Sequence, residues 1–274
     1  MIKAALSFRI AERPRDKSTL LTPLVSLLDL AARHGFQGIC SRASAISIDS
    51  SIDARLQFRR ALTARGLSVS MVTGNTALAT NDVEAPDTLK NIRPHLELAK
   101  RFDAPLVRVM LHHERDIANA QRAADEAKEH DVSLAQPLHW GSLAETVDQA
   151  LALVRRVDRS NFGLTFEPAN LLAAGDSDYA AAIHRLAPYL LNVYFQNIYL
   201  DKSSEIQFPT RTHGPIGVQF VPLNHPLGIN VSPIIEALYA IDYQGWFTIH
   251  QPALDGQRVA EAVADAGQFV RATL

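Results

Sequence analysis

Eight short apolar segments rich in β-branched residues recur along the chain, and a longer amphipathic segment separates each from the next. They are Ile2–Phe8, Gly38–Ser41, Leu67–Val72, Leu106–Leu111, Val132–Leu138, Phe162–Glu167, Leu191–Gln196 and Trp246–His250. This alternation, with no break in composition, is the pattern of one parallel sheet covered by helices. In the first helical stretch Leu20, Leu21, Leu24, Leu27, Leu28 and Ala31 recur at three- and four-residue spacing, which makes one face apolar. Further helices are expected at Asp53–Arg65, Asp87–Arg101, Asp116–Glu129, Ser142–Arg156, Tyr179–Leu186, Pro233–Ile241 and Arg258–Leu274. Ser142-Leu143-Ala144-Glu145 reads as a capping box. Gly35 and Gly66 each stand just past a helix end, where a left-handed turn costs least in glycine.

Eight such units in 274 residues fit a closed (β/α)₈ barrel, expected as a single domain over residues 1–274. An open doubly wound sheet is the alternative, but its glycine-rich first turn is absent: Arg9-Ile10-Ala11-Glu12-Arg13-Pro14 follows the first strand. The stretch 201–230, between the seventh strand and the next helix, reads as a long irregular loop, a length that implies a cover over the barrel mouth.

Composition excludes several classes. With 27 basic and 29 acidic residues the formal charge is −2, so no global field draws nucleic acid or an anionic membrane. A single cysteine, Cys40, can form neither an internal disulfide nor a cysteine-rich metal cluster and reads as a packing residue. No apolar run reaches the roughly 18 residues of a membrane span. The segment from Met1 to Phe8 reads as a short strand rather than a signal peptide, so a soluble, cytoplasmic protein is expected.

A closed barrel places its site at the carboxyl ends of the strands, and polar side chains cluster there. Glu167 closes an apolar strand; a carboxylate at that depth needs a cation or dense hydrogen bonding, as a site group or as an ion pair holding a loop. His250 ends another apolar strand and His139 follows the fifth, each either a site group or an imidazole satisfied by backbone. Gln136 and Gln196 carry amides suited to a metal or a sugar hydroxyl, or to filling the barrel interior. Of His112 and His113 at most one points inward, and His112 shares parity with Arg108. If Val107 and Val109 face the helices, Arg108 faces the barrel, where it needs an anionic partner: a ligand carboxylate or phosphate, or Glu167 or Glu114. Arg42 is similar, and His213, within 201–230, completes the set near this face.

The strand order and the run Asn161-Phe162-Gly163-Leu164-Thr165-Phe166-Glu167-Pro168-Ala169-Asn170-Leu171-Leu172 resemble the xylose isomerase-like TIM-barrel superfamily of sugar and sugar-phosphate isomerases and epimerases. His139-Trp140-Gly141-Ser142-Leu143-Ala144-Glu145-Thr146 and Tyr243-Gln244-Gly245-Trp246-Phe247 support it, and the resemblance spans essentially the whole chain. It implies a divalent cation, Mg²⁺, Mn²⁺ or Zn²⁺, held by four strand-end groups, two of them glutamates that also move protons. Here those positions read Gln136, Glu167, Gln196 and His250, so one carboxylate survives and the two-glutamate shuttle is gone. Hard cations want anionic oxygens, so affinity should fall by orders of magnitude, with Glu167 and His250 as the principal ligands and Gln136 and Gln196 assisting.

The resemblance therefore implies proton transfer next to a carbonyl of a small sugar or sugar acid, with Glu167, His250 and His139 as acid/base groups. Gln136, Gln196, Arg42, Arg108, His112 and His213 are expected to bind substrate. A lyase or dehydratase acting on a sugar acid, or an inert carbohydrate-binding barrel, are the competing readings. No nucleotide cofactor is expected, and a homo-oligomer is implied by the resemblance alone.

Overall fold

The computed structural model describes residues 2–13 and 16–274, so Met1 of the first expected strand and Pro14 of the following turn lie outside the described residues. Eight parallel strands close a barrel: β1 (Lys3–Ser7), β2 (Gly38–Arg42), β3 (Ser68–Thr73), β4 (Leu106–Arg108), β5 (Ser133–Pro137), β6 (Phe162–Phe166), β7 (Leu190–Phe195) and, after three further strands, β11 (Trp246–Ile249). Each expected apolar segment holds one of these strands. The order around the barrel is β1-β11-β7-β6-β5-β4-β3-β2, so the first and last barrel strands pair, with Lys3 opposite Trp246 and Leu6 opposite Ile249.

The helices are α1 (Leu24–Arg33), α2 (Ile52–Thr63), α3 (Thr76–Thr80), α4 (Arg93–Arg101), α5 (Asp116–Lys128), α6 (Val147–Val157), α7 (Pro168–Ala173), α8 (Tyr179–Leu186), α9 (Ser232–Ala240) and α10 (Val259–Thr273). Gly35 and Gly66 adopt φ of +88° and +62° just beyond α1 and α2, as the sequence requires. Two local readings are corrected. The expected helix from Asp87 is a 3₁₀ turn over Ala85–Lys90 followed by α4, because Pro94 opens a fresh helix start. The capping box lies at Thr146 and Gln149, four residues beyond Ser142-Leu143-Ala144-Glu145, because the Glu145 carboxylate is engaged elsewhere.

The stretch expected to be an irregular loop contains an antiparallel sheet. Strands β8 (Ile198–Leu200), β9 (Gln207–Thr210) and β10 (Gly214–Phe220) pair in the order β8-β10-β9. Backbone pairing explains why so long a segment holds a shape: its N–H and C=O groups find partners within the sheet.

Two apolar layers fix where every strand residue points. Cys40, Met71, Leu106, Ala135 and Tyr194 pack together inside the barrel. Ile39, Val107, Leu134, Phe166, Val193, Phe195, Phe247 and Ile249 pack outward against the helices. Side chains alternate along a strand. Arg42, Arg108, Glu167, Gln196 and His250 therefore share the inward parity and stand one layer above the interior cluster, at the carboxyl ends of their strands.

Candidate active site

Inside the mouth, above that interior cluster, lies a cavity of about 1140 Å³. Its inner part is lined by Arg9, Arg42, Arg108, His139, Glu167, Asn170, Gln196 and His250, and its outer part by Lys17, Trp140, Phe208, Phe220 and Leu254 among others. Arg42, Arg108 and Glu167 are only 2%, 3% and 3% exposed, so burial of charge dominates the chemistry here.

Glu167 is the end of β6, where the chain turns into α7 behind Pro168. One carboxylate oxygen accepts from Asn170 Nδ2 at 2.5 Å, and Asn170 in turn donates to the Leu138 carbonyl at 3.0 Å. The other oxygen accepts no hydrogen bond among the described residues. Burial pushes the carboxyl up to about 7, against the opposing pull of Arg108, Arg42 and Lys17. A group so placed is both base and acid near neutrality.

The two inward arginines differ. Arg42 Nε donates to Glu12 Oε1 at 2.7 Å, and its Nη2 donates to the Ala79 carbonyl at 3.0 Å. Glu12 follows β1 and is 1% exposed. That pair supplies the protein partner Arg42 was expected to need. Among the described residues Arg108 forms no ion pair: it donates to the Leu78 carbonyl at 2.6 Å and to Asn81 Oδ1, and its Nε is buried without a hydrogen-bond partner. Glu114, the other acid considered for it, pairs with Arg156 on the surface. Arg9 stands beside Glu12 at 4.0 Å and also keeps a buried Nη1 without a hydrogen bond. Burial, then Arg42 and Arg9, pushes the Lys17 ammonium at the cavity edge down to about 7.

The imidazoles have unequal freedom. His139 has both ring nitrogens occupied, Nδ1 by the Trp140 carbonyl at 2.8 Å and Nε2 by Asn81 Nδ2 at 2.7 Å. A carbonyl only accepts, so Nδ1 carries the proton and Nε2 accepts. His139 is thereby the end of a chain through Asn81 to Arg108. His250 stacks on Tyr194, ring centroids 4.0 Å apart and 3° from parallel, and its Nδ1 meets Ser7 Oγ at 2.9 Å. Its Nε2 makes no hydrogen bond among the described residues. Burial first, then neighbouring arginines, holds both imidazoles well below their ordinary range, so they are neutral at pH 7.

Of the expected residues, the cavity brings together Glu167, His250, His139, Gln196, Arg42 and Arg108, and the Gln196 amide has no hydrogen-bond partner among the described residues. Gln136 stands apart. Ala135 packs inside, so Gln136 points outward; its Oε1 accepts from Leu111 N at 2.8 Å and its Nε2 donates to the Pro137 carbonyl at 2.8 Å. His112 does not line the cavity, its ring nitrogens meeting the Gly141 and Asp82 carbonyls, nor does His213, which meets the Ala174 carbonyl. Sequence reasoning missed Arg9, Glu12, Lys17, Asn81 and the aromatic wall. The turn after β1 was legible as a strand-end loop, and Arg9 and Glu12 stand in it.

The family model described as "Xylose isomerase-like TIM barrel" matches residues 28–272. The chain belongs to this family. No curated protein sequence matches it. Among solved structures, this xylose isomerase-like barrel resembles the probable 3-DHS dehydratase AsbF of petrobactin synthesis from Bacillus anthracis, with TM-score 0.74 and 16% identity over 98% of this chain and 99% of that one. A magnesium complex of a xylose isomerase-like TIM barrel protein from Mycobacterium smegmatis gives 0.73 and 17%, covering 100% and 96%. D-allulose 3-epimerase from a Methylomonas species gives 0.70 and 13%, covering 100% and 98%. At such identities the likeness extends to the fold.

A divalent cation of the kind the family implies does not fit this donor set. Gln136 is turned out of the cavity, one carboxylate remains, and the cations of Arg108, Arg42 and Lys17 act on that carboxylate. Among the described residues no group of three or more His, Cys, Asp or Glu could hold a metal ion.

Proposed function

We propose that this barrel catalyses one-base proton transfer at a carbon next to a carbonyl or carboxylate of a small sugar or sugar acid, with Glu167 as the base. The observation that carries the reading is the state of Glu167: one oxygen positioned by Asn170, the other unbonded toward the cavity, and a carboxyl that titrates at about 7. Removal of such a proton develops negative charge on the adjacent oxygen. Arg108, with an unpartnered buried Nε, stands in the same cavity to stabilise it, and neutral His250 and the free Gln196 amide are available to orient hydroxyls.

A single base favours reactions that return or lose the proton on one face. Aldose–ketose isomerisation is such a reaction, and the site gives it direct support. Two-base epimerisation would need a second proton carrier across the substrate: His139 has both nitrogens engaged, and His250, held well below its ordinary range by burial, is a weak base. Dehydration of a sugar acid begins with the same proton removal, and the arginines favour it as the second reading, since a substrate carboxylate would meet them. One likeness is to a probable 3-DHS dehydratase.

The test is deuterium wash-in from D₂O with a panel of aldoses, ketoses and uronic acids, read by mass spectrometry, with ultraviolet absorbance reporting any conjugated elimination product. Exchange at the carbon beside the carbonyl or carboxylate is expected, and Glu167→Gln should lower it by about 10²–10⁴-fold. Saturable binding of panel members with no exchange in any would replace this reading with that of a carbohydrate-binding barrel.

A further inference from the structure

The cavity is larger than one sugar ring needs, and its two ends differ in chemistry. At about 1140 Å³ it exceeds the roughly 300–1,000 Å³ range of pockets that enclose drug-sized ligands. The inner end gathers Arg9, Arg42 and Arg108 against the two carboxylates of Glu12 and Glu167, leaving an excess of positive charge. Within it the Arg108 Nε and Arg9 Nη1 are buried with no hydrogen-bond partner among the described residues, the Arg9 Nη1 having only the Glu12 carboxylate at 4.0 Å, an arrangement that costs free energy unless a ligand satisfies it.

The outer end is apolar on one side. Trp140 lies 4.4 Å from the His139 ring and 5.9 Å from Phe208, and Phe208 meets Phe220 edge-on at 6.4 Å. The wall thus begins beside the group bonded to Arg108's partner Asn81 and runs outward along the antiparallel sheet. Trp140 and Phe220 are half-buried, leaving ring surface for a flat ligand to cover.

We infer that the substrate is an amphipathic anion, a sugar acid bearing an aromatic or extended apolar substituent, with its carboxylate at Arg108 and Arg9 and that substituent along Trp140, Phe208 and Phe220. The inference uses the proposed function only to identify the site, and its binding test is independent of turnover.

Isothermal titration calorimetry on the whole chain, with four probes, separates the two ends: D-glucuronate, methyl β-D-glucuronide, phenyl β-D-glucuronide and phenyl β-D-glucoside. Phenyl glucuronide should bind tightest, losing about tenfold or more when either the phenyl group or the carboxylate is removed. Trp140→Ala and Phe220→Ala, on different elements, should each erode the phenyl-over-methyl ratio while keeping the glucuronide-over-glucoside ratio. Arg108→Gln should do the reverse. Circular dichroism matching the parent certifies each variant, and a misfolded one leaves the other aromatic variant to decide. A phenyl-over-methyl ratio near one, a ratio untouched in the folded aromatic variants, or no binding of any probe overturns the inference. Tight phenyl glucuronide binding without proton exchange would remove the proposed catalysis and leave this inference standing. Exchange on D-glucuronate with no gain from the phenyl group would do the opposite.

Discussion

At the scale of single residues, the site is a contest between burial and charge. Glu167 is the base in the proposed reaction, and its desolvated carboxylate costs the fold stability. Its carboxyl sits at about 7 in the folded chain against 4.5 ordinarily, so the folded state holds its proton more tightly than the unfolded chain does. Stability is then highest below the ordinary value and falls as pH rises toward 7. Glu167→Gln should raise stability at pH 8 by up to about 3 kcal/mol and change it little at pH 4, measured by urea titration at both. An equal effect at the two pH values would mean the carboxylate is not desolvated. Parity decided which strand-end residues take part. Val107 and Val109 marked Arg108 as inward from the sequence alone, and the same rule applied to Leu134 and Ala135 turns Gln136 outward. What the sequence could not show was Glu12 reaching Arg42 from another strand's loop, which leaves Arg108, unlike Arg42, without a carboxylate partner among the described residues.

Among the elements, the antiparallel sheet between β7 and α9 is the one that gives the cavity its height. It is fastened to the barrel through Glu145, whose carboxylate is buried and accepts from Gly141 N, Arg211 N, Thr212 N and Thr212 Oγ1 at 2.6–2.8 Å. Against the desolvation that would raise it, these donors hold the carboxyl below the ordinary range. Its contribution is therefore present above the ordinary glutamate value and lost as pH falls through the lowered one. Glu145→Ala should cost about 2–4 kcal/mol and speed amide hydrogen exchange across residues 198–220 more than in the barrel strands. Uniform acceleration over the whole chain would show that Glu145 supports the barrel rather than the sheet. The sequence placed Glu145 in a helix cap because Ser142 stands three residues before it; the tertiary partner, some 66 residues away, outcompeted the local one.

For the molecule as a whole, closure is the dominant constraint. β1 lies between β2 and β11, so neither the first nor the last barrel strand can leave without opening the barrel. Lys3 also rests over the Trp246 ring, 5.4 Å from its centroid. We propose that the chain is one cooperative domain, and its two tryptophans allow a direct check. Trp140 reports the mouth and Trp246 the start of the last barrel strand, at the opposite end. Urea unfolding of Trp140→Phe and Trp246→Phe, each followed by the remaining fluorophore and by circular dichroism, should give coincident midpoints within each variant. Midpoints that separate would divide the barrel into two folding units.

The sequence by itself determined the number and order of the barrel strands, because strand–helix alternation is local and repeats the same physics eight times along the chain. It also placed Glu167, Arg108 and His250 at the mouth, since the carboxyl ends of parallel strands must meet there. Only the tertiary structure decided which charges are paired, which imidazole nitrogens are free, and that residues 198–220 fold into a sheet bearing an aromatic wall. Those outcomes depend on groups from distant loops competing for the same few buried hydrogen bonds, and no local pattern records who wins.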